Sequence, residues 1–349
     1  MSERIERTPA AVAHGGNLHD AAERYGIPYD AWIDLSTGIN PHGYPVPPVP
    51  ASAWRRLPDD GDGFAACAAR YYGAPDERHV LPVAGSQAAI RALPALLPRG
   101  AAAIAPLTYG EYAPAFARAG HAALMLDATA DTLPDGAMHA VVVNPDNPTA
   151  TRVPTARLLR WREQLAARGG TLIVDEAFAD AFAPKQSSSL AASAALPGLV
   201  VLRSPGKFFG IAGARCGFAL AQPDRLHALR AALGAWTVGG PARHAVRHAF
   251  ADTAWQTQMR GQLAADSARL AALLQAHGLA PRTTPLFAWV ADPRAQALHE
   301  GLARRGVWTR LFASPASVRF GLPASDDEWL RFGAALADAM RSLDPGAVR

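Results

Sequence analysis

Between residues 101 and 220 the chain alternates short apolar runs with helix-forming stretches, and no other feature limits its fold so tightly. Residues 101–105, 123–126, 140–143, 171–174, 199–202 and 217–220 read as strands. Residues 154–168 read as a helix, with Pro154 in its first turn and Gly169 just past its end. Strands joined through helices make crossover connections. The expected class is therefore α/β, with a mostly parallel central sheet covered by helices on both faces. Such a sheet needs a large core, and a chain of 349 residues that is 50% hydrophobic can supply it. Sites in these sheets lie beyond the carboxyl ends of strands. Three polar groups fall there: residues 144–149, Asp175, and residues 204–207.

The flanks have a different texture. Residues 241–277 read as one long helical stretch. Beyond Pro281, strands are expected at 286–290, 307–310 and 317–322, and helices at 294–305 and 326–343. The expected division is an irregular arm at 1–45 packing on the small domain, a large domain at 46–279 and a small α+β domain at 280–349. Net charge is +4, with the basic residues spread along the chain. That argues against a nucleic-acid partner and leaves room for a small anionic substrate. Two cysteines, Cys67 and Cys216, form no metal-ligand pattern and read as packed thiols, so no metal is expected. The first residues lack the apolar stretch of a signal peptide, and no apolar run reaches membrane-spanning length. The expectation is a soluble, cytoplasmic protein.

Four segments carry chemistry. In Arg203-Ser204-Pro205-Gly206-Lys207 a strand delivers a serine and then a lysine into a turn, and Arg215 follows eight residues later between Gly213 and Gly217. A lysine beside a second cation, partly desolvated, has a lowered pKa and becomes an amine nucleophile. That is what covalent attachment of pyridoxal phosphate needs, with Ser204 and Arg215 on the phosphate. The competing reading is a surface lysine in a polar turn. Asp175, at the end of a buried strand, must be paired, and a protonated pyridine nitrogen is such a partner. A helix N-terminus or a structural arginine would also satisfy it. The segment from Asn144 to Thr149 presents Asn147 from proline-fixed turns, either to a ring hydroxyl or as a plain turn. Gly85, Ser86 and Gln87 open a helix whose free N–H groups can bind phosphate, a weak signal by itself.

In this order and spacing, the four segments resemble the fold-type I pyridoxal-phosphate enzymes of the aminotransferase superfamily. The resemblance covers nearly the whole chain. It implies that Lys207 holds the cofactor, Asp175 pairs with its pyridine nitrogen and Asn147 meets its ring hydroxyl. Gly85, Ser86, Gln87, Ser204 and Arg215 fall on phosphate-binding positions, and Tyr109 falls where an aromatic ring stacks on the cofactor. A homodimer is implied. A non-catalytic regulator on this fold would carry a DNA-binding module, for which no room is expected.

Two subfamilies compete. The opening His14-Gly15-Gly16-Asn17, and the segment from Ile33 through Asn40 to Pro45, are similar to the threonine-phosphate decarboxylases of cobalamin biosynthesis. So is Phe178, where histidinol-phosphate aminotransferases usually carry tyrosine. The first resemblance implies loss of CO2 from L-threonine O-3-phosphate. It places His14, Gly15, Gly16, Asn40, Arg310 and Arg319 on the substrate, with Arg319 clamping the carboxylate and Arg310 touching the phosphate. Two guanidinium groups suit a substrate anionic at both ends, although a pair of surface arginines would look the same in sequence. The chain departs from the family at Arg56-Leu57-Pro58-Asp59, where a tyrosine before the proline usually reaches the neighbouring subunit's cofactor. That contact is missing or supplied by another residue. The stretch between Arg310 and Arg319 is also short.

Overall fold

The computed structural model of the chain describes residues 15–343, the side chain of Lys185 excepted. Its centre is a seven-stranded sheet in the order Val80–Val83, Gly217–Ala221, Leu199–Arg203, Thr171–Asp175, Ala137–Val143, Ala101–Ile104 and Ala122–Met125. All neighbours are parallel except those of Gly217–Ala221, which runs against both of its partners. The inner strands are buried along nearly their whole length and mostly apolar, because both faces are covered. Successive residues point to opposite faces. Val142, Leu172, Val174, Val201 and Leu220 therefore join one core, against the helices Phe64–Tyr72 and Thr155–Ala166. Val141, Ile173, Val200, Leu202 and Ala219 join the other, against Ser86–Ala92, Tyr112–Arg118 and Pro223–Leu233. Thr155–Ala166 shows the sequence logic plainly. Leu158, Trp161 and Leu165 recur at helical spacing and are fully buried.

A four-stranded antiparallel sheet follows, ordered Arg310–Ala313, Ala316–Phe320, Phe287–Ala291 and Arg282–Thr284. The helices Ala295–Ala303 and Asp326–Leu343 belong to the same region. The two-residue strand Ile33–Asp34 pairs in parallel with Val307–Trp308.

Several elements differ from the sequence reading. Residues 241–277 are two helices, Gly240–Ala251 and Thr253–Ala276. They break at Asp252, whose carboxylate accepts from the backbone N–H of Trp255 and so caps the second. Residues 307–310 are not one strand. Val307–Trp308 pairs with the N-terminal segment and Arg310–Ala313 with the four-stranded sheet, and the chain changes sheets at Thr309, whose hydroxyl lies 2.8 Å from His299 Nδ1. The N-terminal segment is less irregular than expected. Leu18–Tyr25 is a helix that packs Ala21 and Tyr25 against Trp32, Ala303 and Trp308. The strand Val80–Val83 goes unread in the sequence because Pro82 interrupts it, and proline is tolerated there because the strand is an edge.

One buried ionic cluster ties together the strand ends that build the site. Arg203, last in its strand, donates to Glu176 Oε2 at 2.5 Å and to Asp180. Glu176 also accepts from the Ser189 hydroxyl and the Leu190 N–H. All three charged groups are buried. Removing one partner from such a cluster strands a charge away from water. Glu176→Leu is therefore expected to lower stability by about 3–5 kcal/mol in urea unfolding. A loss below about 1 kcal/mol, the size of an exposed pair, would show that the cluster does not bear on the strand ends.

Candidate active site

The site forms where four strands end. Asp175 is the last residue of Thr171–Asp175, and its carbonyl accepts from Asn144 N–H at 2.8 Å, which joins it to the next strand's exit. Beyond Val143 the chain enters the turn that presents Asn147. Asn144 closes that turn by bonding the Val153 backbone in both directions. Asp146 braces it by accepting from the hydroxyls of Thr108 and Thr149.

Lys207 stands in the four-residue helix Pro205–Phe208, immediately after Arg203 and Ser204. Asn40 holds this turn from below. Its backbone N–H donates to the Lys207 carbonyl at 2.9 Å and its side-chain amide donates to the Phe208 carbonyl at 2.7 Å. Asn40 is buried, and its Oδ1 accepts from His42 N–H. Its polar atoms thus support the lysine turn, where the sequence reading had it facing substrate. His14 lies outside the described residues. Gly15 lines the cleft, and Gly16 N–H donates to the Ser36 hydroxyl.

Two connected chambers share Tyr109, Asn147, Lys207 and Arg215. The inner chamber adds Gly85, Ser86, Gln87, Asp175, Phe178 and Ser204. The Ser86 and Ser204 hydroxyls are 2.9 Å apart. Gly85 has φ of 71°, and a Cβ there would meet Arg215 Nη2 at 3.0 Å. A Cβ on Gly217 would lie 2.5 Å from Ser86 N–H. The two glycines keep this corner open where two hydroxyls and a guanidinium line one chamber, a donor set suited to a phosphate. Tyr109 donates to Gln87 Oε1 at 3.0 Å. Phe178 is wedged between Gly38 and the Phe287 ring, and the Lys207 ammonium lies 5.8 Å from its centroid.

The outer chamber adds Arg310 and Arg319, and no aspartate or glutamate lines it among the described residues. The two arginines are directly opposite on adjacent antiparallel strands. Like charges in that register repel, and an anion between them would relieve the repulsion. Arg319 is buried and donates to Asn147 Oδ1 and to the Ser36 carbonyl.

Electrostatics follow from this packing. Burial, then the nearby charges of Arg319 and Arg215, lower the Lys207 pKa to about 8, against the pull of Asp175. Burial pushes the Asp175 carboxyl up to about 6, opposed by bonds from Tyr112 and Ala177 and by the Lys207 charge. Burial and Arg310 bring Arg319 down to about 10. Tyr112, missed in the sequence, donates to Asp175 Oδ2 at 2.8 Å. Its only signal was its place three residues after Tyr109. Ser36, also missed, takes part in the tight turn at Asp34, whose carboxylate accepts from both its N–H and its hydroxyl.

A lowered-pKa lysine, a buried carboxylate across the chamber and a phosphate-sized corner match the donor set of a pyridoxal-phosphate site. The comparisons agree with that geometry. The family described as aminotransferase class I and II matches residues 59–340. A threonine-phosphate decarboxylase of Pseudomonas aeruginosa PAO1 is 49% identical over 93% of this chain and 97% of its own. Another from a Sinorhizobium species is 40% identical over 96% and 99%. Among solved structures, histidinol-phosphate aminotransferase from Sinorhizobium meliloti in complex with pyridoxal 5'-phosphate superposes with a TM-score of 0.80. That likeness covers 98% of this chain and 99% of the other, at 20% identity. With the site's geometry and a match over most of its length, the chain belongs to the class I and II aminotransferase family.

Proposed function

We propose that this chain is a pyridoxal-phosphate-dependent threonine-phosphate decarboxylase. It would convert L-threonine O-3-phosphate to (R)-1-amino-2-propanol O-2-phosphate and CO2 in cobalamin biosynthesis. The observation that carries the reading is the cross-strand pair Arg310 and Arg319, sharing with Lys207 a chamber that no acidic side chain lines among the described residues. A small substrate with a carboxylate at one end and a phosphate at the other neutralises that pair. The 49% and 40% identical relatives bear the same name.

Ser86, Ser204 and Arg215 would hold the cofactor phosphate, Asp175 the pyridine nitrogen, and Tyr109 one ring face. Asn147 gives its Oδ1 to Arg319 and keeps its amide N–H groups for the ring hydroxyl. Phe178 offers no hydroxyl there. When bound, pyridoxal phosphate supplies an electron sink for the pair left as a carboxylate departs as CO2. Asp175, as carboxylate, holds the proton on the pyridine nitrogen that makes the ring a sink. Arg319 grips the substrate carboxylate and Arg310 the phosphate, and together they set which bond at Cα stands in line for cleavage. Lys207 Nζ, in the shared part of the two chambers, is the amine placed to deliver a proton to Cα after CO2 has left.

In the same reading residues 46–279 form the cofactor-binding domain, residues 280–349 the small domain, and residues 1–45 an arm upon it. The seven-stranded sheet lies within 80–221 and the four-stranded sheet within 282–320, which supports the division. A homodimer is supported by Trp54, Leu57 and Trp236, large apolar side chains that are 69%, 67% and 59% exposed. Leu57 is also the position where the family's tyrosine is missing. A cytoplasmic location fits two free cysteines, and no helix among the described residues is long and apolar enough to cross a membrane.

Two outcomes follow. Unphosphorylated threonine should lose CO2 far more slowly than threonine phosphate, because each charge-assisted bond to phosphate contributes about 1.5–3 kcal/mol, or roughly 10- to 150-fold in kcat/KM. Arg310→Ala should narrow the gap by slowing only the phosphorylated substrate, whereas Arg319→Ala should slow both. Equal rates for the two substrates in the unaltered enzyme would defeat the reading. Second, only the unprotonated Lys207 amine attacks an aldehyde. Capture of pyridoxal phosphate by the apoprotein should therefore rise with pH to a plateau, with a midpoint at about 8. Arg319→Gln removes a like charge, which favours the ammonium, so the midpoint should move up and capture at neutral pH should slow. A downward move would place another group in control of the lysine.

A further inference from the structure

We propose that Tyr112 is a positioning residue for the reaction: its hydroxyl, donating to Asp175 Oδ2, orients that carboxylate and stabilises its charged form. The inference rests on the reading that pyridoxal phosphate occupies the cleft.

Asp175 ends a strand buried along its whole length, and each of its oxygens has one protein donor. Oδ1 accepts from the Ala177 N–H at 3.1 Å and Oδ2 from Tyr112 Oη at 2.8 Å. The first bond is local, made two residues along the chain, and survives any side-chain change. The second comes from the opening residue of the helix Tyr112–Arg118, 63 positions away in sequence. It is therefore the contact that fixes the carboxylate against a separate element. Both groups are buried, so little water can substitute for the phenol.

The other charged and titratable groups around Asp175 do not make Tyr112 redundant. Lys207, on the lysine turn, favours the carboxylate. Glu176, its chain neighbour, opposes it, although Glu176 spends its oxygens on Arg203, Ser189 and Leu190. Tyr109 donates to Gln87 and meets Tyr112 edge-on at 6.3 Å. Among these, the Tyr112 bond is the largest influence favouring the charged form, and it works against burial, which alone outweighs it. Tyr112 is also a permanent donor, because burial and the facing carboxylate hold its own pKa well above the usual phenol value. Without that bond, Asp175 would take up a proton nearer neutral pH. A neutral carboxyl cannot stabilise a protonated pyridine nitrogen.

The test is Tyr112→Phe in the full chain, which keeps the ring and its packing and removes only the donor. In the apoprotein, carbon-13 carboxyl resonances are followed against pH, with Asp175→Asn identifying the relevant one. The midpoint should move up from about 6, by about one pH unit or more. In the holoenzyme the acidic limb of the kcat/KM profile should move the same way. The pyridine nitrogen-15 resonance of labelled cofactor should report less protonation at neutral pH. A residue that only fills space would alter the melting temperature and leave all three unmoved. If Tyr112→Phe does not fold, 3-fluorotyrosine at position 112 serves instead: a stronger donor of nearly the same size, it should move the carboxyl midpoint down. A wild-type chain that captures no pyridoxal phosphate overturns the reading of the cleft. A chain that captures it, with midpoint and limb unmoved by either change at 112, overturns the assignment of Tyr112 alone.

Discussion

A buried carboxylate and a partly buried amine face one cleft, and the charge on each is set by its neighbours rather than by water. Burial is the largest cause of both shifts, lowering the Lys207 pKa and raising that of Asp175, so that with their neighbours included the two stand at about 8 and about 6. Two arginines add to the lowering of the lysine, and a tyrosine and a backbone N–H oppose the raising of the aspartate. The rest of the fold can be read as what this requires. The strands must end together, so Arg203 and Glu176 cross-link their exits. The lysine turn must stay rigid, so Asn40 binds it through backbone and side chain.

The second constraint is repulsion. Arg310 and Arg319 occupy facing positions on adjacent strands, where like charges repel. Arg319 is held by Asn147 and Ser36, and an anion entering between the two arginines would relieve the repulsion. Asn147 thereby touches both the substrate-side arginine and the cofactor chamber.

What could be read from sequence was what is local. Ser204, Lys207 and Arg215 sit within one short segment, and its glycine and arginine pattern, more than the serine-to-lysine spacing, singled out the lysine. The strand carrying Asp175 was legible because Leu172, Ile173 and Val174 form an unbroken apolar run, the mark of a strand covered on both faces. What escaped depends on pairings distant in the chain. Tyr112 meets Asp175 only because the sheet brings a helix opening beside a strand end. Asn40 serves the lysine turn 167 positions away, and nothing in its own segment announces that. The change of sheet at Thr309 is likewise decided by Ile33–Asp34, which supplies a partner no local pattern shows. The break at Asp252 was in principle readable, since an aspartate before a helix start is a common cap, but an otherwise continuous helical pattern masked it.

The most direct measurement of the central claim is product analysis of the purified, pyridoxal-phosphate-loaded enzyme. It would be given L-threonine O-3-phosphate alone and, separately, histidinol phosphate with 2-oxoglutarate. A cleft built around two arginines and a buried aspartate should release CO2 and form the aminopropanol phosphate from the first, and make little glutamate from the second. Glutamate from histidinol phosphate without CO2 from threonine phosphate would contradict the account, and leave only the family and its fold.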